Sequence, residues 1–296
     1  MPNSLAGPLV DVAADAGWGD HPERVGFFTD TSVCIGCKAC EVACKEWNGV
    51  PDDGFDLLGM SYDNTGSLSA STWRHVAFIE QRTVPVADAL VGGGGPATLD
   101  GEGAREGLRW LMASDVCKHC THAACLDVCP TGALFRTEFG TVVVQEDVCN
   151  GCGYCVPACP YGVIAQRPGD GRAWKCTLCY DRLQDSLEPA CAKACPTQSI
   201  QFGPIDELRH RASRRVEELH ERGVASAQLY GESPDDGIGG AGAFFLLLDR
   251  PEVYGLPPDP VVTTRDLPEM YRRAAAAAGT LLLAAVVSVL AGGRRR

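Results

Sequence analysis

The chain has no surplus of basic residues. Its 26 Lys and Arg are outnumbered by 38 Asp and Glu, giving a formal charge of −12, so it lacks the positive footprint that binding to nucleic acid requires. It also lacks a recognisable export signal. Met1 to Asp20 contains acidic residues and no cationic stretch leading into an apolar one, and so reads as neither a signal peptide nor a twin-arginine leader. Long regular patterns are scarce as well, because 34 Gly and 19 Pro interrupt the chain, which implies high loop content, while the 296 residues allow two modest domains.

What the sequence does have is sixteen cysteines in four quartets, with none left over. They are Cys34, Cys37, Cys40, Cys44; Cys117, Cys120, Cys125, Cys129; Cys149, Cys152, Cys155, Cys159; and Cys176, Cys179, Cys191, Cys195. The first and third follow Cys-x2-Cys-x2-Cys-x3-Cys, the run that holds iron–sulfur clusters in bacterial ferredoxins, with the fourth cysteine reaching to a neighbouring cluster. Proline follows Cys129, Cys159 and Cys195 as that run expects, whereas Lys45 follows Cys44. Four quartets therefore predict four 4Fe-4S clusters. A disulfide framework is disfavoured, since closely spaced triplets are poor geometry for pairing. Zinc sites are usually built from separated Cys-x2-Cys pairs and have no use for a third cysteine three residues further on. Metal–ligand bonds would replace a thin core, so the cluster-free chain is expected to be unstable.

From Ala274 to Gly293 no residue is charged, and at ~1.5 Å per residue a helix there spans ~30 Å, the thickness of a bilayer core. Leu281, Leu282, Leu283, Val286, Val287, Val289 and Leu290 contribute only about −2 to −4 kcal/mol to insertion together. A helix that weak and that rich in small residues suits docking on an integral-membrane partner. Arg272 and Arg273 precede it and Arg294 to Arg296 follow, which leans slightly towards a cytoplasmic C-terminus.

Between quartets one and two, Trp73 to Val84 reads as a strand and Leu108 to Ala113 as its return, joined by a loop from Ala87 to Gly107. Ala133 to Thr137 and Thr141 to Gln145 flank Glu138-Phe139-Gly140 as a hairpin. Ser199 to Phe202 reads as a short strand, and Ile205 to Arg222 as an amphipathic helix with a stripe of Ile205, Leu208, Ala212, Val216 and Leu219, stopped by Gly223. Gly231 to Gly242 reads as a flexible polar stretch, Ala243 to Leu248 as a buried strand, and Pro251 to Pro268 as an extended arm.

Quartets two and three, and three and four, are separated by similar intervals, so spacing alone permits either pairing. If two pairs with three as a compact insert, one must pair with four.

Asp30-Thr31-Ser32-Val33-Cys34-Ile35-Gly36-Cys37-Lys38-Ala39-Cys40 with Glu46-Trp47-Asn48 resembles the first cluster motif of the iron–sulfur (beta) subunits of membrane-bound respiratory formate dehydrogenases. So do Cys149-Asn150-Gly151-Cys152-Gly153-Tyr154-Cys155, Lys175-Cys176-Thr177-Leu178-Cys179, Glu188-Pro189-Ala190-Cys191, and Gly255-Leu256-Pro257-Pro258-Asp259-Pro260 ahead of the last helix. The resemblance runs from about Val25 onward. It implies an α+β, loop-rich fold of two nested ferredoxin-like two-cluster domains with one C-terminal transmembrane helix. The expected division is an N-terminal extension (1–24), an outer domain (25–113 and 163–250), an inner domain (114–162), a Pro-rich arm (251–273) and the helix (274–293). The implied ligand sets are Cys34, Cys37, Cys40 and Cys195 for cluster a; Cys176, Cys179, Cys191 and Cys44 for cluster b; Cys117, Cys120, Cys125 and Cys159 for cluster c; and Cys149, Cys152, Cys155 and Cys129 for cluster d.

The same resemblance implies a protein without catalytic chemistry of its own. It would relay electrons from a molybdenum- or tungsten-pterin subunit that oxidises formate to a membrane subunit, with haem b or without haem, that reduces quinone. The bulk of the chain would lie on the outer face by co-export, the cytoplasmic face being the alternative. The corresponding subunit of another molybdopterin oxidoreductase, acting on a sulfur compound or nitrate, is the rival, and a zinc-stabilised scaffold the remote one. His119 and His122 interrupt quartet two but are not needed as ligands, so a solvated role or a hydrogen bond towards cluster sulfur is expected. Lys38, Lys118 and Lys175 either offset cluster charge or are simply exposed. Trp47, Tyr154 and Trp174 are expected to shield clusters rather than relay electrons.

Overall fold

The computed structural model describes residues 9–54, 59, 62–63, 65–81 and 108–293. Its strands in chain order are β1 Val25–Asp30, β2 Arg74–Gln81, β3 Arg109–Val116, β4 Leu134–Arg136, β5 Val142–Val144, β6 Ala165–Gln166, β7 Ala173–Trp174, β8 Ile200–Pro204, β9 Gln228–Tyr230 and β10 Ala243–Leu247. One four-stranded sheet has the order β8-β1-β10-β9. In it β1 runs parallel to β10, with Phe27 opposite Ala243, and antiparallel to β8, with Val25 opposite Pro204. Segments far apart in sequence thus share one sheet, and the backbone from Asp30 to Ile200 leaves it and returns to it.

β1 is buried continuously from Gly26 to Asp30, because both faces of the sheet are covered. Successive side chains point to opposite faces. Phe27 enters a core that contains Cys40, Cys44, Cys117, Cys176 and Cys191. Phe28 stacks on Phe244 at 5.4 Å between ring centroids and packs with Ile205, Leu208 and Ala212 of the helix Ile205–Glu221. β10 repeats the division, with Phe244 and Leu246 on the helix side and Phe245 and Leu247 packed with Leu111 and Ala113 of β3. Each such apolar side chain contributes ~1.5–3 kcal/mol by burial. The sheet therefore stands between a helical layer and the layer that holds the cysteines.

The fold is α+β and loop-rich, as expected. β2 and β3 pair antiparallel with Arg74 opposite Val116, so the return strand runs three residues beyond Ala113 and leads directly to Cys117. The expected loop from Ala87 to Gly107, the end of the first strand at Val84, Met1 to Pro8 and Arg294 to Arg296 lie outside the described residues. β4 and β5 form the expected hairpin, with Gly140 at φ 72° in its turn. A second small hairpin, β6 with β7, follows quartet three. The helix Ile205–Glu221 and β10 fall where periodicity put them. Residues 12 to 24 of the N-terminal extension bind the β4–β5 hairpin: Trp18 Nε1 donates to Arg136 O at 2.9 Å, and Val12 lies against Gly140.

Two expectations change. Gly231 to Gly242 is not a flexible polar stretch. Ile238 and Ala241 are buried, and the carbonyls of Ile238 and Gly240 accept from the backbone N–H groups of His122 and Thr121. Glycine permits this close approach, since a Cβ on Gly239 would stand 2.6 Å from His122. The arm is not uniformly extended either. Pro251–Tyr254 is a 3₁₀ turn ended by Gly255 at φ 72°, and Tyr254, Leu256 and Val262 are buried. The last helix begins at Leu267, within the expected arm, and runs to Gly293. Pro268 is compatible with a first turn, and Glu269 pairs with Arg273 one turn on, so the charges near Arg272 mark the edge of the apolar stretch rather than the helix start. This helix is long and apolar enough to cross a membrane, and none of its spanning window is buried against the rest of the protein.

β1 and β10 approach so closely that a Cβ on Gly26 would stand 2.0 Å from Gly242 O and 2.4 Å from Ile205 Cδ1. Gly26→Ala is expected to cost ~3 kcal/mol or more, at or above the upper end of overpacking penalties, read as a lowered thermal midpoint of the full chain. Gly169→Ala, with nothing within 4 Å, should leave it unchanged.

Candidate cluster sites

Quartet one begins where β1 ends. A 3₁₀ turn, Thr31–Val33, capped by the Asp30 carboxylate, leads into the loop Cys34 to Cys37, and the helix Ala39–Asn48 carries Cys40 and Cys44 one turn apart. Cys34, Cys37 and Cys40 line a cavity together with Cys195 from quartet four. Cys44, one turn (~5.4 Å) further along, belongs to a different group. Asn48 Nδ2 lies 3.8 Å from Cys44 Sγ and 3.9 Å from Cys179 Sγ, and the Cys44 thiol is close enough to Cys176, Cys191 and Cys179 that their charges would repel. Cys191 lies in the helix Ala190–Lys193 and Cys195 just beyond it. The helix Ala39–Asn48 thus sends one cysteine to each of two adjacent groups, and the helix Ala190–Lys193 does so together with the residue that follows its cap.

The inner quartets are arranged in the same way. One cavity is lined by Cys117, Cys120, Cys125 and Cys159, with Lys118, His119, Tyr161 and Lys175 around it. Another is lined by Cys129, Cys149, Cys152 and Cys155. A shared backbone device shapes all four loops. The residue just before the second cysteine has positive φ each time: Gly36 (64°), His119 (43°), Gly151 (73°) and Leu178 (59°). In quartet four the N–H of this left-handed residue, Leu178, donates to Cys176 Sγ at 3.2 Å, a bond that favours the thiolate.

The electrostatics follow from burial. Desolvation pushes the Cys125 and Cys176 thiols up to about 12, and Cys40, Cys155 and Cys179 up to about 11. Repulsion from neighbouring cysteines adds to this, as Cys117 does at Cys176. At Cys129 burial pushes the same way but is outweighed by hydrogen bonds from Leu134, Thr131 and Ala133, which lower it. Left alone, the raised thiols would hold their protons; an iron group supplies the positive charge that lets four thiolates converge. Several buried cations have the converse problem. Lys175 is 2% exposed and donates to the carbonyls of Val142 and Cys176, and Arg74 is 1% exposed. Among the described residues neither pairs with a carboxylate. Lys118 is buried too but reaches Asp115. Buried cations without acids fit cavities that hold anionic clusters.

Several expectations about neighbouring residues are resolved by burial. Lys118 and Lys175 are not exposed, and Lys38 bonds Glu41 and Asp63. His119 and His122 are buried rather than solvated. His119 Nδ1 accepts from Val142 N–H at 3.1 Å, which places the ring proton on Nε2, and Nε2 has no partner among the described residues. Trp174 stacks on Trp73 and Trp47 packs beneath Arg182, whereas Tyr154 is 62% exposed. Arg74 and Ser114 were not anticipated, because each sits in a strand and neither belongs to a cysteine motif. Thr131 and Thr197, whose hydroxyls lie 3.7 and 3.8 Å from Cys129 and Cys195 Sγ, were signalled by the twice-repeated Cys-Pro-Thr.

The 4Fe-4S dicluster domain family matches residues 33–133 and again residues 108–205. A formate dehydrogenase iron-sulfur subunit of Haemophilus influenzae is 39% identical over 248 residues, covering 82% of this chain and 72% of the relative. The formate dehydrogenase-O iron-sulfur subunit of Escherichia coli is 38% identical over 248 residues, 82% of this chain and 74% of the relative. A component of the anaerobic dimethyl sulfoxide reductase of Escherichia coli is 35% identical over 188 residues, 64% of this chain and 77% of the relative.

His119 allows a direct check of the loop geometry. His119→Ala should cost ~1–3 kcal/mol by orphaning the buried Val142 N–H, with added strain at φ 43°. His119→Asn, whose side-chain oxygen can take the place of Nδ1 and which tolerates the left-handed region, should recover most of the loss. Thermal midpoints of the two variants compare them, and equal midpoints would argue against the bond to Val142.

Proposed function

Because this protein is a member of the family of formate dehydrogenase iron–sulfur subunits, whose two dicluster domains imply four 4Fe-4S clusters, we propose that it carries electrons from a molybdenum- or tungsten-pterin partner oxidising formate to a quinone-reducing membrane subunit. Formate oxidation to carbon dioxide and a proton releases two electrons, which would pass singly. The clusters supply reversible one-electron acceptance; the protein fixes their spacing, excludes water and sets the charge around them. Cys34, Cys37, Cys40 and Cys195 would hold cluster a, and Cys176, Cys179, Cys191 and Cys44 cluster b. Cys117, Cys120, Cys125 and Cys159 would hold cluster c, and Cys149, Cys152, Cys155 and Cys129 cluster d. Residues 25–113 and 163–250 would form the outer domain and 114–162 the inner.

The observation that carries this reading is the gathering of thiols across quartets, such as Cys195 beside Cys34, Cys37 and Cys40. Exposure supports a linear order. Cys37 and Cys152 are exposed, whereas all four cysteines assigned to b are buried, so a and d would be the ends and b and c the middle. Cys117 of c lies near Cys176 of b in one core, and Cys40 of a near Cys191 of b. The similarity to the dimethyl sulfoxide reductase component covers less of this chain than that to formate dehydrogenase subunits, which favours formate as the substrate of the partner.

Purified with its partners, the full chain should contain iron and sulfide and support formate-dependent quinone reduction. Reduction of dimethyl sulfoxide at the expense of quinol, without formate activity, would transfer the assignment to the rival enzyme; bound zinc without iron would end the electron-transfer reading. In the same complex Cys44→Ser should change the paramagnetic resonance signal of the cluster held by quartet four. A change confined to the quartet-one cluster would defeat the exchange of fourth cysteines.

A further inference from the structure

Arg74 opens β2 deep in the outer cysteine layer, and three features define its surroundings. Its Nη2 donates to Cys191 Sγ at 3.3 Å. Its Nη1 donates to Ser114 O and Ser114 Oγ, each at 3.3 Å, and that hydroxyl lies 3.3 Å from Cys40 Sγ. Its guanidinium rests over the Phe27 ring at 4.8 Å, while Nε has no partner among the described residues. With Cys40 as a thiolate, Ser114 accepts from Arg74 and donates to Cys40. One chain of hydrogen bonds thus runs from Cys191 through Arg74 and Ser114 to Cys40.

Arginine stays charged under essentially all conditions in proteins, and a buried charge without a counter-charge is strongly disfavoured. No carboxylate pairs with Arg74 among the described residues, and the anionic groups placed around it by the geometry are thiolates. We propose that Arg74 is the common counter-charge of clusters a and b, a positioning residue that raises the reduction potentials of both and reaches a through Ser114. The inference rests on the ligand assignment proposed above. Each electron that arrives adds one negative charge beside the guanidinium, so the reduced form is favoured at both centres. Charge-assisted bonds to sulfur also hold the Cys40 and Cys191 side chains in register across the two cluster sites. In the inner pair the equivalent burden falls on different cations, Lys118 and Lys175, so Arg74 should act on the outer pair alone.

The test is a potentiometric titration of the purified complex followed by paramagnetic resonance. Arg74→Gln should lower the midpoints of both outer clusters by at least tenfold in the reduction equilibrium, 59 mV for one electron, with c and d unmoved. Arg74→Lys should recover part of each shift. Ser114→Ala, a smaller change, should lower a and leave b near its original value. If Arg74→Gln fails to retain its clusters, the Lys and Ser114 variants decide. Unmoved outer midpoints in variants with full iron, or loss of clusters with unmoved midpoints in those that survive, would leave Arg74 a structural anchor and overturn the inference. A parent complex without four iron–sulfur signals would instead overturn the functional reading itself.

Discussion

A thiolate buried away from water is tolerable only beside positive charge, and this fold is arranged around sixteen cysteines that meet that condition together. Cys40, Cys44, Cys125, Cys155, Cys176 and Cys179 sit where desolvation alone would keep the protons on. The resulting dependence is mutual. The clusters need enclosed cysteines to keep water out, and the enclosed cysteines need iron to ionise. With the core thin and interrupted by loops, metal binding and folding become one free-energy change, and buried Lys175 and Arg74 add a second reason for the cluster-free chain to be unstable.

The same condition explains the connectivity. A helix that gives one cysteine to each of two sites, as Ala39–Asn48 does with Cys40 and Cys44, ties those sites at a spacing of one turn. Cys191 and Cys195 do this from much further along the sequence. Closing both ties requires residues near 40 and near 195 to meet, and the sheet supplies the meeting place, since β1 leads towards the helix Ala39–Asn48 and β8 follows the last cysteine. The order of strands in the sheet and the gathering of cysteines from different quartets around one cavity are two expressions of one topology.

Much of this is legible in the sequence because the signals are local. Cysteine spacing, the stripe of the helix Ile205–Glu221, the β4–β5 hairpin and the apolar terminal stretch are each written within a few turns of chain. What is not legible depends on partners distant in sequence. β1 has no alternation because two layers cover it, and β6 and β7 are two residues each and separated by a segment that includes Arg167-Pro168-Gly169. Gly231 to Gly242 looks solvent-adapted until the loop of quartet two is set against it. The left-handed residue of each cysteine loop is half legible: Gly36 and Gly151 announce it, while His119 and Leu178 adopt it under tertiary constraint. Arg74, the first residue of β2, belongs to no cysteine motif, and only the thiols folded around it give it a role.

The attachment of the terminal helix bears on the direction of the conduit. Ahead of the helix, Thr264 hydrogen-bonds Asp127, which lies between Cys125 and Cys129, and Arg265 reaches the Asp236 carbonyl. Asp236 in turn accepts from the backbone of Ile238 and Gly240, the segment packed on quartet two. The helix is therefore rooted beside the loop of quartet two rather than on quartet one. Its apolar side chains, Leu281 to Leu290, have no cover among the described residues, and burial of such a surface is strongly favoured in lipid or against another helix. On the function proposed above, a membrane subunit covering it would set quartets two and three on the membrane side and leave quartet one, with its exposed Cys37, towards a catalytic subunit. That polarity matches the order a, b, c, d inferred from exposure and rests on a different set of contacts, so the anchor and the wire constrain each other.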